Sequence, residues 1–490
     1  MRIETHSIDP GSRDDARRPI QRAGLVLGLF GLIVLAAAPT FDVFIEHAVD
    51  RLGLPAGHLD CIESARGTQA TLALLTVMVI WWVTEAVPIP VTALLPGILL
   101  PFLGVSGVRD GRLFAFDAKA AFGPYAHPVI YLFLAGFLLA GAMRKTGLDR
   151  RITLGILSWR PVMRGPGTIL LAVMGITATL SMWISNTATA AMMLPIAVTI
   201  LEQLGESPGK SRFGIALMLG VAWSASIGGL GTIIGSPPNG IVVGILEDRG
   251  IAEIDFLQWM KIGMPVAVFG LFAAWGLLML LFRPRVDDTR AVAAAVRESR
   301  AKLGRRSGEE TATLLIFGLV VLLWVTHAFW DDLPEVIYSR LASVGISEIG
   351  LLGAVLLFVI PVKRSHFRAV LNWRDARYVD WGTLILFGGG LALSNAMFTT
   401  GLTDCMTGAF VSIIGRPGPW VSLLLIVLLV DFLTEITSNT AVTSMMTPVL
   451  VGLSPELGLE PMTLCVAGAM ASSLAFMLPV ATPPNALVFG

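Results

Sequence analysis

The tripeptide Ser-Asn-Thr occurs twice in this chain, each time in the middle of a long apolar run. The two frames read SNTATAAMMLP from Ser185 and SNTAVTSMMTP from Ser438, which are 253 residues apart (438 minus 185). A second matching pair follows them, GSPPNGIVVG from Gly235 and ATPPNALVFG from Ala481. Because polar side chains within apolar runs mark binding sites in membrane proteins, we expect the chemistry of this chain at these four motifs.

A third matching pair lies upstream of the two tripeptides. FLAGFLLAGAMRKTGL from Phe133 resembles FGGGLALSNAMFTTGL from Phe387, with Ala, Met and Gly residues in register. The matched Asn, Pro and Ser residues of the three blocks are unlike the generic side chains of a membrane span. Three matching blocks in the same order therefore indicate an internal duplication of the chain.

The apolar content of the chain excludes a soluble fold of this length. Apolar residues make up 54% of the sequence and charged residues only 14%, so we predict an all-α polytopic membrane protein. A bilayer requires roughly 20 apolar residues per span. Such segments are predicted near 24–40, 69–87, 89–105, 128–145, 213–229, 259–282, 311–330, 348–362, 381–399 and from 463 onward. The opening residues are polar, so no cleavable signal peptide is expected.

The charged residues predict which loops face the cytoplasm. Basic residues cluster at 13–22, 144–164, 283–306 and 363–377, and acidic residues are concentrated at 41–66, 247–256 and 454–462. By the positive-inside rule the basic clusters and the N-terminus are cytoplasmic, and the acidic loops face outward. Each basic cluster adjoins a span, which makes it a topology signal and not a nucleic-acid site. The three cysteines and six histidines have no metal-ligand or redox spacing, so no catalytic residue is predicted.

The apolar runs around the two tripeptides are longer than single spans. Segment 167–201 could form one long helix or two arms that each reach about mid-membrane. Arg164 before it and Lys210 after it place both ends in the cytoplasm, which predicts a re-entrant helical hairpin. Segment 418–453 repeats the pattern, but Glu456 follows it, so this hairpin is expected to enter from outside. An odd number of spans between the hairpins agrees with repeats of inverted topology.

Both kinds of motif are suited to breaking helices at membrane depth. Ser, Asn and Thr are strong N-cap residues, so a helix should begin at each tripeptide and direct the positive end of its dipole at the membrane centre. The two Pro-Pro pairs should break the facing helices and free the carbonyls of Gly235 and Ala481 as ligands. Such a site offers oxygen ligands to a small hard cation, and hydroxyls with helix N-termini to an anion, but no Lys or Arg. We therefore expect anion binding to depend on bound cations.

These features resemble those of the divalent anion/sodium symporter family, the INDY-type dicarboxylate carriers. The likeness covers nearly the whole chain and rests on both SNT tripeptides, on Ser181 and Thr434 four residues before them, on the GSPPN and ATPPN breaks, and on WWVTEAVPIPVTALLP at 81–96. The resemblance implies at least two sodium sites, formed by Ser181, Ser185, Asn186 and Gly235 and by Thr434, Thr437, Asn439 and Ala481. It implies that the substrate carboxylates are bound by Ser185, Asn186, Thr187, Ser236, Ser438, Asn439, Thr440 and Pro483.

The resemblance implies sodium-coupled symport of small divalent anions, above all four-carbon dicarboxylates such as succinate, malate and fumarate, across a bacterial inner membrane. It also implies a homodimer and an elevator mechanism. The moving body would comprise the hairpins and the spans near 128–145, 213–246, 381–399 and 463–490. The scaffold and dimer interface would comprise the spans near 69–105, 259–282 and 311–362, joined by amphipathic arms at 106–126 and 363–380.

Four segments follow from this organisation. They are an N-terminal tail with the first span and outer loop (1–68), the first inverted repeat (69–283), a cytoplasmic linker (284–310) and the second inverted repeat (311–490). The first repeat continues through a span after its Pro-Pro break, and members of the family do so in both halves. We therefore expect a further span after Gly490 in a complete carrier.

Other functions fit parts of this pattern. A sodium-independent dicarboxylate exchanger would have the same fold, although Asn186 and Asn439 argue against it, and sulfate would also bind hydroxyls and helix N-termini. A membrane-embedded enzyme would require clustered His, Cys or paired carboxylates near the motifs, and the sequence has none there. Glu85, Asp431 and Glu435 are the ionisable residues nearest the apolar segments, and we interpret them as hydrogen-bonding groups at helix ends.

Overall fold

The computed structural model describes residues 10–207, 210–283, 289–363 and 368–489, which are almost entirely helical. Among these residues, eight helices are long and apolar enough to cross a membrane, and a bent pair over 335–359 would make a ninth. The prediction of a polytopic helical membrane protein is confirmed. Parts of the predicted tail, of the linker at 284–310 and of the arm at 363–380 lie outside the described residues.

The first elements of the chain are helical up to residue 102. They are α1 (Pro10–Ala37), α2 (Asp42–Leu52), α3 (Leu59–Thr84), α4 (Ile89–Thr92) and α5 (Leu95–Phe102). Strands β1 (Ser106–Arg109) and β2 (Arg112–Ala115) then form an antiparallel pair, followed by α6 (Ala118–Phe122). Asp110 and Gly111 both have positive φ angles, 52° and 70°, which suits a two-residue hairpin turn. This hairpin is an exception to the all-α prediction.

The remaining elements contain both copies of the repeat. The first copy is α7 (Pro128–Thr146), α8 (Leu148–Leu157), α9 (Pro166–Ser181), α10 (Asn186–Gln203), α11 (Arg212–Gly229) and α12 (Pro237–Asp248). Between the copies lie α13 (Phe256–Phe282), α14 (Arg290–Lys302), α15 (Gly308–Thr326), α16 (Glu335–Leu341), α17 (Ile346–Val359), β3 (Pro361–Lys363) and β4 (Arg368–Ala369). The second copy is α18 (Trp381–Thr400), α19 (Leu402–Ile414), α20 (Pro419–Ile436), α21 (Asn439–Glu456), α22 (Pro461–Ser472) and α23 (Pro483–Phe489).

The two copies have the same order of elements. In each, a long helix ends at a left-handed glycine, Gly147 with φ 76° and Gly401 with φ 80°, and the next helix begins at the following residue. Only glycine adopts this conformation at little cost, which explains why both matched blocks end in Gly-Leu. The duplication is thus visible in the structure, whereas its inversion across the membrane stays a prediction.

Each apolar run around a tripeptide forms two helices. α9 ends at Ser181 and α10 begins at Asn186, and the two helices pack against each other. α20 and α21 are separated in the same way, and Arg416, just before α20, forms an ion pair with Glu456, the last residue of α21. The open ends of the second pair therefore lie side by side, as a hairpin requires.

The described chain forms two compact units by its internal contacts. Of the described residues, the first unit comprises those in 10–126, 385–422 and 444–464, and the second comprises those in 127–384, 423–443 and 465–489. Within the first unit, Arg51 donates to the carbonyl oxygen of Thr399 at 2.9 Å and Thr68 donates to that of Thr400 at 2.6 Å. These bonds satisfy carbonyls at the C-terminus of α18. Every residue predicted to bind sodium or substrate belongs to the second unit.

Large apolar side chains remain exposed on several helices of the second unit. They include Phe269, Phe272 and Leu281 of α13, Leu315 and Leu322 of α15, and Leu424 and Phe432 of α20. A water-exposed surface of this kind would be unfavourable, whereas hydrocarbon accepts it without cost. These faces are therefore expected to contact lipid.

Candidate functional site

A helix begins at each Ser-Asn-Thr tripeptide, as predicted. Ser185 is the N-cap of α10, and its Oγ accepts a hydrogen bond from the backbone N–H of Ala188 at 3.4 Å. α21 likewise begins at Asn439, directly after Ser438. The first N–H groups of a helix lack partners within it, and the dipole makes this end positive. Each tripeptide thus presents hydroxyls and a helix N-terminus that favour an anion.

Beside the first tripeptide, two oxygen atoms lie within hydrogen-bonding distance of one buried hydroxyl. Ser181 is fully buried, and its Oγ lies 2.7 Å from Oδ1 of Asn186 and 2.6 Å from the carbonyl oxygen of Ala225 in α11. A hydroxyl carries one proton, so it can donate to only one of these oxygens at a time. The contact between the hydroxyl and Asn186 is then favourable either when a cation binds both oxygens or when the amide is turned by 180°, so that its Nδ2 donates to the hydroxyl at 2.7 Å.

The second copy repeats this arrangement with a threonine. Thr434 is fully buried, and its Oγ1 lies 2.6 Å from Oδ1 of Asn439 and 2.7 Å from the carbonyl oxygen of Ser472 in α22. The hydroxyl and the asparagine thus lie five residues apart in both copies, at nearly the same distances, while the helix carbonyl follows the hydroxyl by 44 residues in the first copy and by 38 in the second. Both predicted sodium sites therefore contain a cluster of oxygen atoms suited to a small hard cation.

The side-chain amide of Asn186 can face the first cluster in two ways. With Oδ1 toward the cluster, it accepts from Ser181; turned by 180°, its Nδ2 would donate to the carbonyl oxygens of Ala225 at 3.0 Å and Gly235 at 3.2 Å. The Gly235 carbonyl is thus close to the side chain of Asn186, while their predicted sharing of a sodium ion stays a prediction. A Cβ atom on Gly229 would lie 2.6 Å from Oδ1 of Asn186, so glycine is required there for the approach.

The helices facing the tripeptides are broken before each Pro-Pro pair, as predicted. α11 ends at Gly229 and α12 begins at Pro237, while α22 ends at Ser472 and α23 begins at Pro483. The prolines occupy the first positions of the following helices, where their missing N–H costs nothing. The carbonyls of Gly235 and Ala481 therefore lie in these breaks, outside the α-helices on either side.

The asparagine of each PPN motif closes the break, and sequence reasoning missed this role. Asn239 donates from Nδ2 to the carbonyl oxygens of Gly229 at 2.9 Å and Thr232 at 2.8 Å. Asn485 donates to the carbonyl oxygens ten and seven residues before it, those of Ala475 at 3.0 Å and Leu478 at 3.1 Å. The two bonds have the same spacing in both copies because the PPN motif is repeated. This repetition is the sequence signal from which the role of the asparagines could have been predicted.

The residues predicted to bind carboxylate differ in their accessibility. Thr187 and Pro483 are exposed, Ser185, Asn186, Ser438 and Asn439 are half-buried, and Ser236 and Thr440 are buried. The Oγ atoms of Ser236 and Ser473 lie 3.1 Å apart, and α23 packs against α10 and α11, so elements of both copies meet here. The only charged residue in 181–187, 229–239, 434–443 and 472–485 is Glu435.

No group of three or more His, Cys, Asp or Glu side chains that could hold a metal ion occurs among the described residues. The oxygen atoms of the two clusters belong to hydroxyl, amide and carbonyl groups, which are neutral. Such ligands suit reversible binding of a monovalent hard cation.

Known proteins with similar sequences were found for most of this chain. The family model described as "Sodium:sulfate symporter transmembrane region" matches residues 60–490. The sodium-dependent dicarboxylate transporter SdcS of Staphylococcus saprophyticus is 37% identical over 432 residues, which are 86% of this chain and 79% of that protein. The transporter of the same name from Staphylococcus aureus is 36% identical over 432 residues, with the same shares of both chains.

A solved structure also resembles this fold. The crystal structure of the YdaH transporter of Alcanivorax borkumensis superposes with a TM-score of 0.52 and 17% sequence identity, and the match covers 85% of this chain and 90% of that one. At this identity the likeness concerns the fold alone.

Proposed function

Since this chain belongs to the sodium:sulfate symporter family, we propose that it carries small divalent anions across the bacterial inner membrane together with sodium. Four-carbon dicarboxylates such as succinate, malate and fumarate are the proposed substrates, because the curated relatives are named sodium-dependent dicarboxylate transporters. One observation carries the proposal most directly: two clusters of neutral oxygens lie beside the helix N-termini, and the segments that form them, 181–187, 229–239, 434–443 and 472–485, contain no Lys or Arg. An anion bound there needs cations for neutralisation.

The proposed sodium ions bind at the two oxygen clusters. The first takes Ser181, Ser185, Asn186 and the carbonyl of Gly235, and the second takes Thr434, Asn439 and the carbonyls of Thr437 and Ala481. A cation at the first cluster attracts Oδ1 of Asn186, whereas without the cation Nδ2 of the same amide donates to Ala225 and Gly235. Sodium binding thus selects one orientation of the side chain that adjoins the anion site.

The proposed dicarboxylate binds between the two tripeptides. One carboxylate meets Ser185, Asn186 and Thr187 with Ser236, and the other meets Ser438, Asn439 and Thr440 beside Pro483. Hydroxyls and backbone N–H groups at the N-termini of α10 and α21 donate to the oxygens, and the helix dipoles oppose the negative charge. The adjacent sodium ions supply the charge that the side chains lack, which couples the two binding events.

We further propose that the protein works as a homodimer by an elevator movement. The two hairpins and the two broken helices hold the whole binding site, so they can move together and expose it to either side without breaking its contacts. Opposite entry of the hairpins would let each one cover the site from one side of the membrane.

Cysteine labelling tests the proposed opposite entry of the hairpins. Lys210 follows the first hairpin and Glu456 ends the second, and both side chains are exposed. Single cysteines at these positions, with Cys61, Cys405 and Cys465 replaced, should react with an impermeant maleimide from opposite sides. We expect position 456 to label in intact cells and position 210 only after permeabilisation. Labelling of both positions from the same side would refute the inverted repeat.

Uptake of radiolabelled succinate into proteoliposomes tests the function and separates it from its rivals. We expect uptake into vesicles without internal dicarboxylate when sodium is high outside, and little uptake when choline replaces sodium. An exchanger would need internal dicarboxylate and no sodium, and a sulfate carrier would take up sulfate in preference to succinate. An equal rate of succinate uptake with and without the sodium gradient would refute the proposed symport.

A further inference from the structure

Glu435 is a buried carboxylate within an apolar helix, α20. Glu435 lies in the second hairpin between Thr434 and Thr437, and its side chain is 4% exposed. Its Oε1 accepts the backbone N–H of Met477 and its Oε2 that of Leu478, both at 2.8 Å. Accepting at both oxygens is the pattern of an ionised carboxylate, and bonds from N–H groups to a charged acceptor are the strong kind. The carboxylate is thus held against the backbone between α22 and α23, and it follows Thr434 of the second oxygen cluster by one residue in the chain.

Leu478 connects this carboxylate to a proposed sodium ligand. The N–H of Leu478 is bound by Glu435, and its carbonyl oxygen accepts from Nδ2 of Asn485 at 3.1 Å and from the N–H of Ala481 at 3.2 Å. Glu435 therefore holds the N–H group of Leu478, and the carbonyl group of the same residue holds Ala481 and Asn485. Movement of the carboxylate would displace the turn that sets the Ala481 carbonyl.

The first copy makes the equivalent connection with different chemistry. Thr232 corresponds to Leu478 (246 residues apart, 478 minus 232), and its carbonyl oxygen likewise accepts from Asn239 at 2.8 Å and from the N–H of Gly235 at 3.3 Å. The hydroxyl of Thr232 donates to the carbonyl of Met182 in the first hairpin. Met182 in turn corresponds to Glu435 (253 residues apart, 435 minus 182). Both residues of this contact differ between the copies. The broken helix is bound to its hairpin by Thr232 and Met182 in the first copy, and by Leu478 and Glu435 in the second.

We propose that Glu435 is a positioning residue of the second sodium site, which it holds in shape through Leu478 and to which it adds a negative charge that the first site lacks. This inference rests on the proposed sodium-coupled function. Because the charge lies within a residue of Thr434 and two of Thr437, it favours a cation there. The two sodium sites should therefore differ in affinity and in their sensitivity to neutralisation of one carboxylate.

Sodium-dependent thermal stability tests the proposal without relying on transport. The melting temperature of the purified full chain would be measured over a series of sodium concentrations at constant ionic strength with choline, in the absence of dicarboxylate. We expect Glu435→Gln to raise the sodium concentration at half-maximal stabilisation at least tenfold, because the amide bears no charge and places an NH₂ group against a backbone N–H. Asp431→Asn is the matched control, since Asp431 lies one turn earlier in α20 and is half-buried; its midpoint should stay within twofold of the unmodified protein.

The outcomes separate this inference from the proposed function. A purely structural role would lower the melting temperature of Glu435→Gln at every sodium concentration and leave the midpoint unchanged, which would overturn the inference. An equal rise of the sodium midpoint in Asp431→Asn would mean that any nearby negative charge has the same effect. This result would also contradict the proposed positioning role of Glu435. If Glu435→Gln does not fold, Glu435→Asp keeps the charge but reaches less far, and we expect a smaller rise in the midpoint; an unchanged midpoint would refute the proposal. Absence of sodium stabilisation in the unmodified protein would instead contradict the proposed function.

Discussion

Replacing Thr187 or Thr440 by alanine should weaken succinate binding by roughly ten- to a hundredfold, because each variant loses a hydrogen bond to a charged group worth about 1.5–3 kcal/mol. Each threonine is the second residue of the helix that begins at its tripeptide, α10 or α21, where its hydroxyl and the helix N-terminus can donate to the same carboxylate. The measurement is equilibrium binding of labelled succinate to purified protein at saturating sodium. A monocarboxylate of similar size should bind poorly to the unmodified protein and lose less in either variant.

Thr199→Ala is the control for this pair. Thr199 lies further along α10, is exposed, and donates only to the carbonyl of Pro195 in its own helix. Its replacement by alanine removes the same hydroxyl and methyl groups as the two test variants do, but it should leave the affinity for succinate unchanged. Wild-type affinity in both Thr187→Ala and Thr440→Ala would mean that the carboxylates bind elsewhere in the protein.

Replacing Asn186 or Asn439 by alanine should raise the sodium concentration needed for half-maximal succinate uptake by roughly tenfold or more, from the loss of one oxygen ligand to a charge. Each asparagine contributes Oδ1 to an oxygen cluster with few other members, at 2.7 Å from Ser181 and 2.6 Å from Thr434. The measurement is initial uptake into proteoliposomes over a sodium series at fixed succinate. Asparagine also adjoins the anion site, so succinate affinity should fall most at low sodium.

Asn372→Ala provides the matched control for these variants. Asn372 caps a short turn through a bond from the N–H of Arg374 at 3.0 Å, outside both clusters. Its sodium dependence should match that of the unmodified protein. Unchanged sodium dependence in both Asn186→Ala and Asn439→Ala, at normal protein levels, would refute the assignment of the cation sites.

Much of the fold followed from the sequence because its motifs act locally. Ser185 caps α10, α21 begins directly after Ser438, and the Pro-Pro pairs stand where helices begin again. Gly147 and Gly401 take the left-handed conformation that ends a helix. These effects depend on side-chain chemistry within one turn. The matched blocks then revealed the second copy of each element.

The contacts that close the site could not be predicted in the same way. The carbonyls of Ala225 and Ser472 belong to the backbone, which carries no sequence signal, and they reach the clusters only through helix packing. The bonds from Asn239 and Asn485 depend on how each break folds back. Glu435 was interpreted as a hydrogen-bonding group at a helix end, but its partners Met477 and Leu478 lie about forty residues away in a turn of irregular backbone.

Calorimetric titration of succinate into the purified protein, in sodium and in choline at equal ionic strength, tests the central claim that bound cations take the place of basic side chains in the anion site. Sodium should permit binding of succinate, and its affinity should rise with sodium concentration until both oxygen clusters are saturated. In choline, no heat of binding should be detectable at concentrations that saturate the protein in sodium. Equal succinate affinity in the two buffers would contradict the account, since the anion would then be held without the cations on which the proposed coupling depends.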